Sequence, residues 1–124
     1  MRAGILKKAM DCHQRGEFAE AKSLYGEMLR KWPKDFDAMH LMGVAQMQTG
    51  QMEEAEKLIR KSIELKPDSA VAWNHLGAAL NGLKRHEEAI GCFDRALEIN
   101  PNYPEAFNNR GNALVDLELI QKAV

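Results

Sequence analysis

The sequence predicts an all-α protein built from repeated pairs of helices, and three observations predict it. Pro33, Pro67 and Pro101 recur every 34 residues, and Gly43, Gly77 and Gly111 keep the same interval. Ala21, Ala55, Ala89 and Ala123 hold it through four copies, while Gly16 and Gly50 repeat it once. Several residue types sharing one period is the signature of a repeat architecture. Within each copy, apolar and small residues recur at i, i+3, i+4 and i+7, the spacing of one helical face rather than of a strand. The chain divides into units 2–35, 36–69, 70–103 and a shortened 104–124, about three and a half repeats in a single domain spanning 1–124.

Each unit reads as two helices. In the first, Ile5, Ala9 and Cys12 mark one helix, and Ala21, Tyr25, Met28 and Leu29 the other. In the second, Met39, Met42, Gly43 and Gln46 precede Ala55, Ile59, Ser62 and Ile63. The third has Trp73, Leu76, Gly77 and Leu80, then Ala89, Phe93, Ala96 and Leu97, closed by Pro101. Asp35 and Ser69 stand where N-caps belong, because a short side-chain oxygen there can accept an orphan helix N–H. Gly16 and Gly50 suit left-handed C-terminal caps. Pro104 suits a first helical turn, where its missing N–H costs nothing. Ala9, Gly43, Gly77 and Gly111 share one slot; a small residue there lets paired helices approach closely, with Tyr25, Ile59 or Phe93 filling the space opposite. Some positions depart from the pattern. Lys8 and Arg110 replace the apolar residue found at Met42 and Leu76, Gln46 sits where an apolar residue is expected, and Lys84 and Glu118 stand in the turn-glycine slot. At the last of these, Leu117-Glu118-Leu119-Ile120 leaves open whether residues 117–124 turn into a second helix or continue the first.

The run Trp73, Leu76, Gly77, Leu80, Ala89, Phe93, Ala96 and Pro101 resembles the tetratricopeptide repeat (TPR) frame W-x2-L-G-x2-Y…A-x3-F…A…P, with Leu80 in place of Tyr. The resemblance covers essentially the whole chain, and Phe107-Asn-Asn-Arg-Gly-Asn-Ala-Leu114 is similar to bacterial arrays of this repeat. It implies an α-solenoid of helix-turn-helix repeats in a right-handed superhelical stack, with a concave groove lined by the first helix of each unit. It also implies a non-enzymatic scaffold for protein–protein interaction that takes a peptide or protein segment. Carried onto this chain, the groove residues are Leu6, Met10 and His13, flanked by Ala3 and Gln14; His40, Val44 and Met47, flanked by Asp37 and Gln48; Asn74 and Asn81, flanked by Val71, Ala78 and Gly82; and Asn108 and Asn112, flanked by Glu105 and Asp116. Methionine adapts to varied apolar partners, and Asn carboxamides donate and accept at once, which suits an extended peptide backbone. One subtype is excluded. Members that bind chaperone tails hold a carboxylate with a clamp of Lys, Asn, Asn, Lys and Arg, and the equivalent positions here are Leu6, Met10, Leu41, Val71 and His75, which carry no such positive charge. The asparagine ladder of repeats preceding O-GlcNAc transferases is matched only by Asn109, and Leu41 and His75 break it.

Composition narrows the function classes. Seventeen Lys+Arg against 18 Asp+Glu give a formal charge of −1, with no polybasic signature for nucleic acid. The charge is uneven: residues 2–35 carry eight Lys+Arg against five Asp+Glu, a net of +3, and the later units come to −2, −1 and −1. No apolar run approaches the ~18 residues of a membrane span, and Lys7 and Lys8 arrive too early for a secretory signal. Two cysteines, Cys12 and Cys92, are too few for a disulfide framework and suit a reducing, cytoplasmic setting. There is no C-x2-C or H-x3-H spacing to hold a metal, and Ser23, Ser62 and Ser69 have no His and Asp partners at a catalytic spacing. Glu53-Glu54 and Glu87-Glu88 begin second helices, where negative charge favours the helix dipole. The expectation is a binding module with no cofactor, metal, nucleic-acid or membrane partner. An alternative rests on the shortened last unit, where Leu114, Leu117, Ile120 and Val124 would be exposed. It is a structural assembly module, a homo-oligomer through residues 104–124, or the repeat fragment of a longer multidomain protein.

Overall fold

The structure, a computed structural model, describes residues 1–123. Seven α-helices and no strand are found among the described residues: α1 (Arg2–Gln14), α2 (Phe18–Lys31), α3 (Phe36–Gln48), α4 (Met52–Leu65), α5 (Ala70–Gly82), α6 (His86–Ile99) and α7 (Pro104–Ala123). None is long and apolar enough to cross a membrane. The chain contacts separate two compact units, residues 1–66 with α1 to α4 and residues 67–124 with α5 to α7.

The helix ends follow the local chemistry. Asp35 accepts the Ala38 N–H at 3.1 Å and Ser69 accepts the Ala72 N–H at 3.2 Å, so both are N-caps. Pro104 opens α7. At the first turn the Gly16 N–H donates to the His13 carbonyl at 3.1 Å, and the Glu17 N–H reaches back to the Cys12 carbonyl at 2.9 Å. This is the Schellman arrangement, which satisfies carbonyls that a helix end leaves free. Gly50 with Gln51 repeats it, and so does Lys84 with Arg85. The left-handed residues have φ of +78° at Gly16, +85° at Gly50 and +64° at Lys84. Lys84 therefore holds a backbone conformation that costs a non-glycine residue about 1–2 kcal/mol.

Glu118 behaves differently from Lys84. The helix passes through it, so residues 117–123 continue the first helix of the last unit, and Val124 lies outside the described residues. Good helix formers run through this stretch, and Lys122 pairs with Glu118 one turn away at 3.2 Å.

The small-residue slot has the predicted steric meaning. A Cβ built on Gly43 would lie 2.5 Å from Ile59 Cγ1, and one on Gly77 would lie 2.5 Å from Phe93 Cε1. Ile59 and Phe93 are fully buried against these glycines. In the first unit Ala9, Cys12, Ala21, Tyr25, Met28, Ala38 and Ala45 form one buried cluster. Nothing lies within 4 Å of the same Cβ position on Gly111. Lys8 is exposed, whereas Arg110 is half-buried and donates to Asp94 at 2.5 Å. Gln46, in the slot of an apolar residue, leaves its buried Oε1 without a hydrogen-bond partner among the described residues.

Arg2 donates to Asp35 and, at 2.8 Å, to Asp37, tying the start of α1 to the start of α3. Burial alone would raise the Asp35 carboxyl. Hydrogen bonds from Arg2 and from the Ala38 amide outweigh it and hold the group below its ordinary value.

Two stability contrasts follow, both measurable by urea denaturation. Lys84→Gly should raise stability by about 1 kcal/mol by relieving the left-handed lysine, and Gly50→Ala should lower it by a similar amount. Gly77→Ala should destabilise by about 1–3 kcal/mol through its clash with Phe93, while Gly111→Ala should stabilise by up to about 1 kcal/mol because only helix propensity changes there.

Candidate functional site

The Schellman turn at Gly16 folds α2 back along α1 and opens a cleft of about 440 Å³ in the first unit. The end of α1 contributes Met10, His13 and Gln14; the turn and α2 contribute Gly16, Phe18 and Tyr25; α3 contributes Leu41 and Gln48. His13 organises it. Its Nε2 lies 2.5 Å from Gln48 Oε1, and its Nδ1 lies 3.0 Å from the Tyr25 hydroxyl. An amide oxygen can only accept, so Nε2–H donates to Gln48 and Nδ1 accepts from the Tyr25 O–H. Phe18 and Tyr25 meet the imidazole edge to face, with ring centroids 5.8 and 5.9 Å away. The His13 ring is thereby fixed by α2 and α3 together.

Tyr25 is fully buried beneath this arrangement. Its hydroxyl is pushed up to about 12, mainly because burial disfavours the phenolate and secondarily because of Cys12 nearby. No carboxylate, ammonium or guanidinium side chain lines the cleft, and no serine or cysteine nucleophile does either. The chemistry on offer is apolar surface from Met10, Leu41 and Phe18, with amide hydrogen-bonding groups from Gln14 and Gln48. Such a mixture holds a ligand by shape and a few oriented polar contacts.

The residues expected to line a groove are placed unevenly. Met10 and His13 meet in this cleft with Gln14 and Gln48. Leu6 is half-buried against the first unit's core, and Met47 is half-buried. His40 and Val44 are buried rather than open: His40 stacks on Phe36 with centroids 5.6 Å apart, and Lys66 Nζ lies 5.3 Å from the centre of that Phe36 ring. In the second unit Asn74 is also fully buried, because its face of α5 turns toward α7. Its Oδ1 accepts from Asn109 Nδ2 at 3.1 Å. Burial and the Glu105 charge raise Tyr103, opposed by Asn74. Asn81 accepts from His86 Nδ1. Asn108 and Asn112 are exposed on α7.

Three contributors to the cleft escaped the sequence reading. Tyr25 reads as packing, Leu41 reads as an uncharged clamp position and a broken ladder position, and Phe18 carries one signal, its place two residues after the turn glycine. The second unit has two further clefts. One of about 410 Å³ is lined by Asn81, Gly82, Lys84, His86, Asp116, Leu119 and Ile120, and one of about 320 Å³ by Lys84 to Glu88 with Leu117 and Ile120. The Cys12 thiol and the exposed Glu17 and Glu20 carboxylates also come within 4.8 Å of one another. Arg15 pairs with Glu17 at 3.0 Å.

Comparison with known proteins bears on the family and the fold. The tetratricopeptide repeat family is matched by residues 13–80, 70–103 and 92–124. No curated protein matches. Among solved structures, an O-GlcNAc transferase of Thermobaculum terrenum (a K341M mutant) is similar at 26% identity and TM-score 0.89, over 91% of this chain but 22% of that one. This chain therefore spans about a fifth of that enzyme's length. The first TPR domain of human RPAP3 is similar at 22% identity and TM-score 0.93, over 100% of this chain and 98% of that one. The first TPR of Spaghetti (RPAP3), bound to the HSP90 peptide SRMEEVD, is similar at 23% identity and TM-score 0.90, over 94% of this chain and 93% of that one.

The raised Tyr25 hydroxyl makes an alkaline prediction. An unfolded tyrosine ionises near 10 and the folded one near 12, so the stability this group supplies is present below pH 10 and is lost as pH rises through 12. Denaturation midpoints followed from pH 8 to about 12 should fall by an amount worth roughly 2 kcal/mol, and Tyr25→Phe should flatten that part of the fall.

Proposed function

We propose that this chain, which belongs to the tetratricopeptide repeat family, is a non-enzymatic interaction module that holds a segment of a partner protein. The observation that carries this is the cleft of the first unit, whose lining offers apolar surface and amides with no formal charge and no nucleophile. Met10, His13, Gln14, Leu41 and Gln48 are the contacts; exposed Asn108 and Asn112 in the second unit are polar positions available to a peptide backbone. His40, Val44 and Asn74 act from beneath as packing. The peptide held by the RPAP3 domain, SRMEEVD, is acidic. The present cleft has no cation to receive carboxylates, and burying an unpaired charge there is costly. The ligand is accordingly a peptide with an uncharged apolar anchor. Two or three such anchors, offset by ordering of the peptide, give affinity of the order of micromolar.

Selection from a random peptide display library tests this. Selected peptides should converge on uncharged apolar anchors, and Met10→Glu should weaken them at least about tenfold with far-UV circular dichroism unchanged. Convergence on acidic tails, or indifference to Met10→Glu, would remove the reading.

A further inference from the structure

We propose that Cys12, Glu17 and Glu20 form a binding site for a divalent cation of the zinc class at the turn between α1 and α2. One thiol sulfur and two carboxylate oxygens lie there within 4.8 Å of one another. The site uses none of the residues assigned to peptide contact, and the inference stands independently of that reading.

The turn places each donor. The Glu17 N–H donates to the Cys12 carbonyl at 2.9 Å, which brings the end of α1 against the residue that caps α2, and Glu20 follows in the first turn of α2. Cys12 is only 3% exposed, whereas both glutamates are exposed, so the sulfur is the floor of the site and the carboxylates are its rim. The Cys12 thiol is free and has no hydrogen-bond partner among the described residues. The same three slots carry Gln46, Gln51 and Glu54 in the second unit, and Leu80, Arg85 and Glu88 in the third. There the Arg85 guanidinium donates to Glu88 at 2.9 and 2.8 Å, so the chain supplies its own cation to the carboxylate. In the first unit Glu17 stands in place of that arginine, and two carboxylates face one thiol. Arg15 reaches Glu17 at 3.0 Å, but the two side chains are 65% and 48% exposed and such a surface pair contributes little.

The donor set selects the ion. A thiolate beside carboxylates suits zinc, whereas magnesium and calcium take all-oxygen sites. Tetrahedral coordination, at about 2.3 Å to sulfur and 2.0–2.2 Å to oxygen, puts the donors roughly 3.3–3.7 Å apart. Rotation of the two exposed glutamate side chains covers the remaining distance. On binding, the Cys12 thiol gives its proton to solvent, three negative donors face a doubly charged ion, and water takes the fourth position. The cation thereby ties α1 to the start of α2. The spacing C-x4-E-x2-E crosses a turn, so a search for C-x2-C or H-x3-H passes over it.

Cadmium and zinc ions, added to the reduced full chain, are the probes. Cadmium should produce a saturable thiolate-to-metal charge-transfer absorption in the ultraviolet, which zinc removes in competition and magnesium does not. Cys12→Ser should abolish this absorption, and Cys92→Ser should leave it. Because Cys12 is buried, the exposed glutamates give an independent reading that does not depend on the serine variant folding. Glu17→Gln and Glu20→Gln should each weaken both ions at least about tenfold, with circular dichroism unchanged. No saturable absorption, absorption that persists in Cys12→Ser, or affinity indifferent to both glutamine variants, as a thiol binding cadmium alone would give, overturns the proposal. So does light scattering that shows the metal joining two chains through their thiols.

Discussion

The constraint on which the structure depends is the distance between the two helices of a pair. Gly43 and Gly77 carry no Cβ, so Ile59 and Phe93 sit where a side chain would otherwise be, and the two backbones close to that spacing. Interiors are packed at near-crystalline density, so a slot of this shape accepts one kind of insert and transmits misfit to its neighbours. Once a pair is held this closely, the connection between its helices must reverse the chain within a few residues. The Schellman turns at Gly16, Gly50 and Lys84 do so with the same pair of backbone hydrogen bonds each time. The slot and the turn are two halves of one requirement.

Lys84 and Glu118 show which half governs. Both replace the turn glycine, yet Lys84 adopts φ of +64° and Glu118 stays helical. The local penalty is similar in the two places, about 1–2 kcal/mol for a left-handed non-glycine residue. At Lys84 the turn is compensated by burial of Phe93 against Gly77, a side chain whose full burial is worth about 1.5–3 kcal/mol. No described residue fills the Gly111 slot, so no burial opposes the local preference of Leu117 to Ala123 for helix. At Lys84, burial of Phe93 against Gly77 outweighs the local preference of the turn residue.

The same distinction explains how much could be read from the sequence. The 34-residue period, the N-caps at Asp35 and Ser69, the left-handed glycines and the Gly–Ile and Gly–Phe contacts were all legible, because each is set by residues within one unit. The candidate site was less so. Leu6, His40, Asn74 and Asn108 occupy one slot of the repeat, and a single-unit template gives them one role. In the structure Leu6 is half-buried, His40 and Asn74 are buried and Asn108 is open. Periodicity identifies the face of a helix; exposure of that face depends on what packs against it, such as α7 against Asn74. Phe18 and Tyr25 entered the cleft through a hydrogen-bond and ring network around His13 that spans three helices and leaves no local pattern.

In the peptide complex proposed above, charge and shape would divide the work of recognition in the first unit. Its cleft has no formally charged lining, yet residues 2–35 carry a net charge of +3, with Lys7, Lys8, Arg30, Lys31 and Lys34 exposed away from it. Exposed charges act over about 8–10 Å at ordinary salt, so they bias the approach of a partner without touching it once bound. Residence in that proposed complex would be set instead by burial against Met10, Leu41 and Phe18, a non-directional interaction that salt does not screen. A surface built this way couples the rate of encounter to ionic strength and leaves dissociation to the fit of one uncharged anchor. Specificity in the proposed complex then lies in what the cleft does not offer: a buried carboxylate or ammonium would find no opposite formal charge among Met10, His13, Gln14, Leu41 and Gln48.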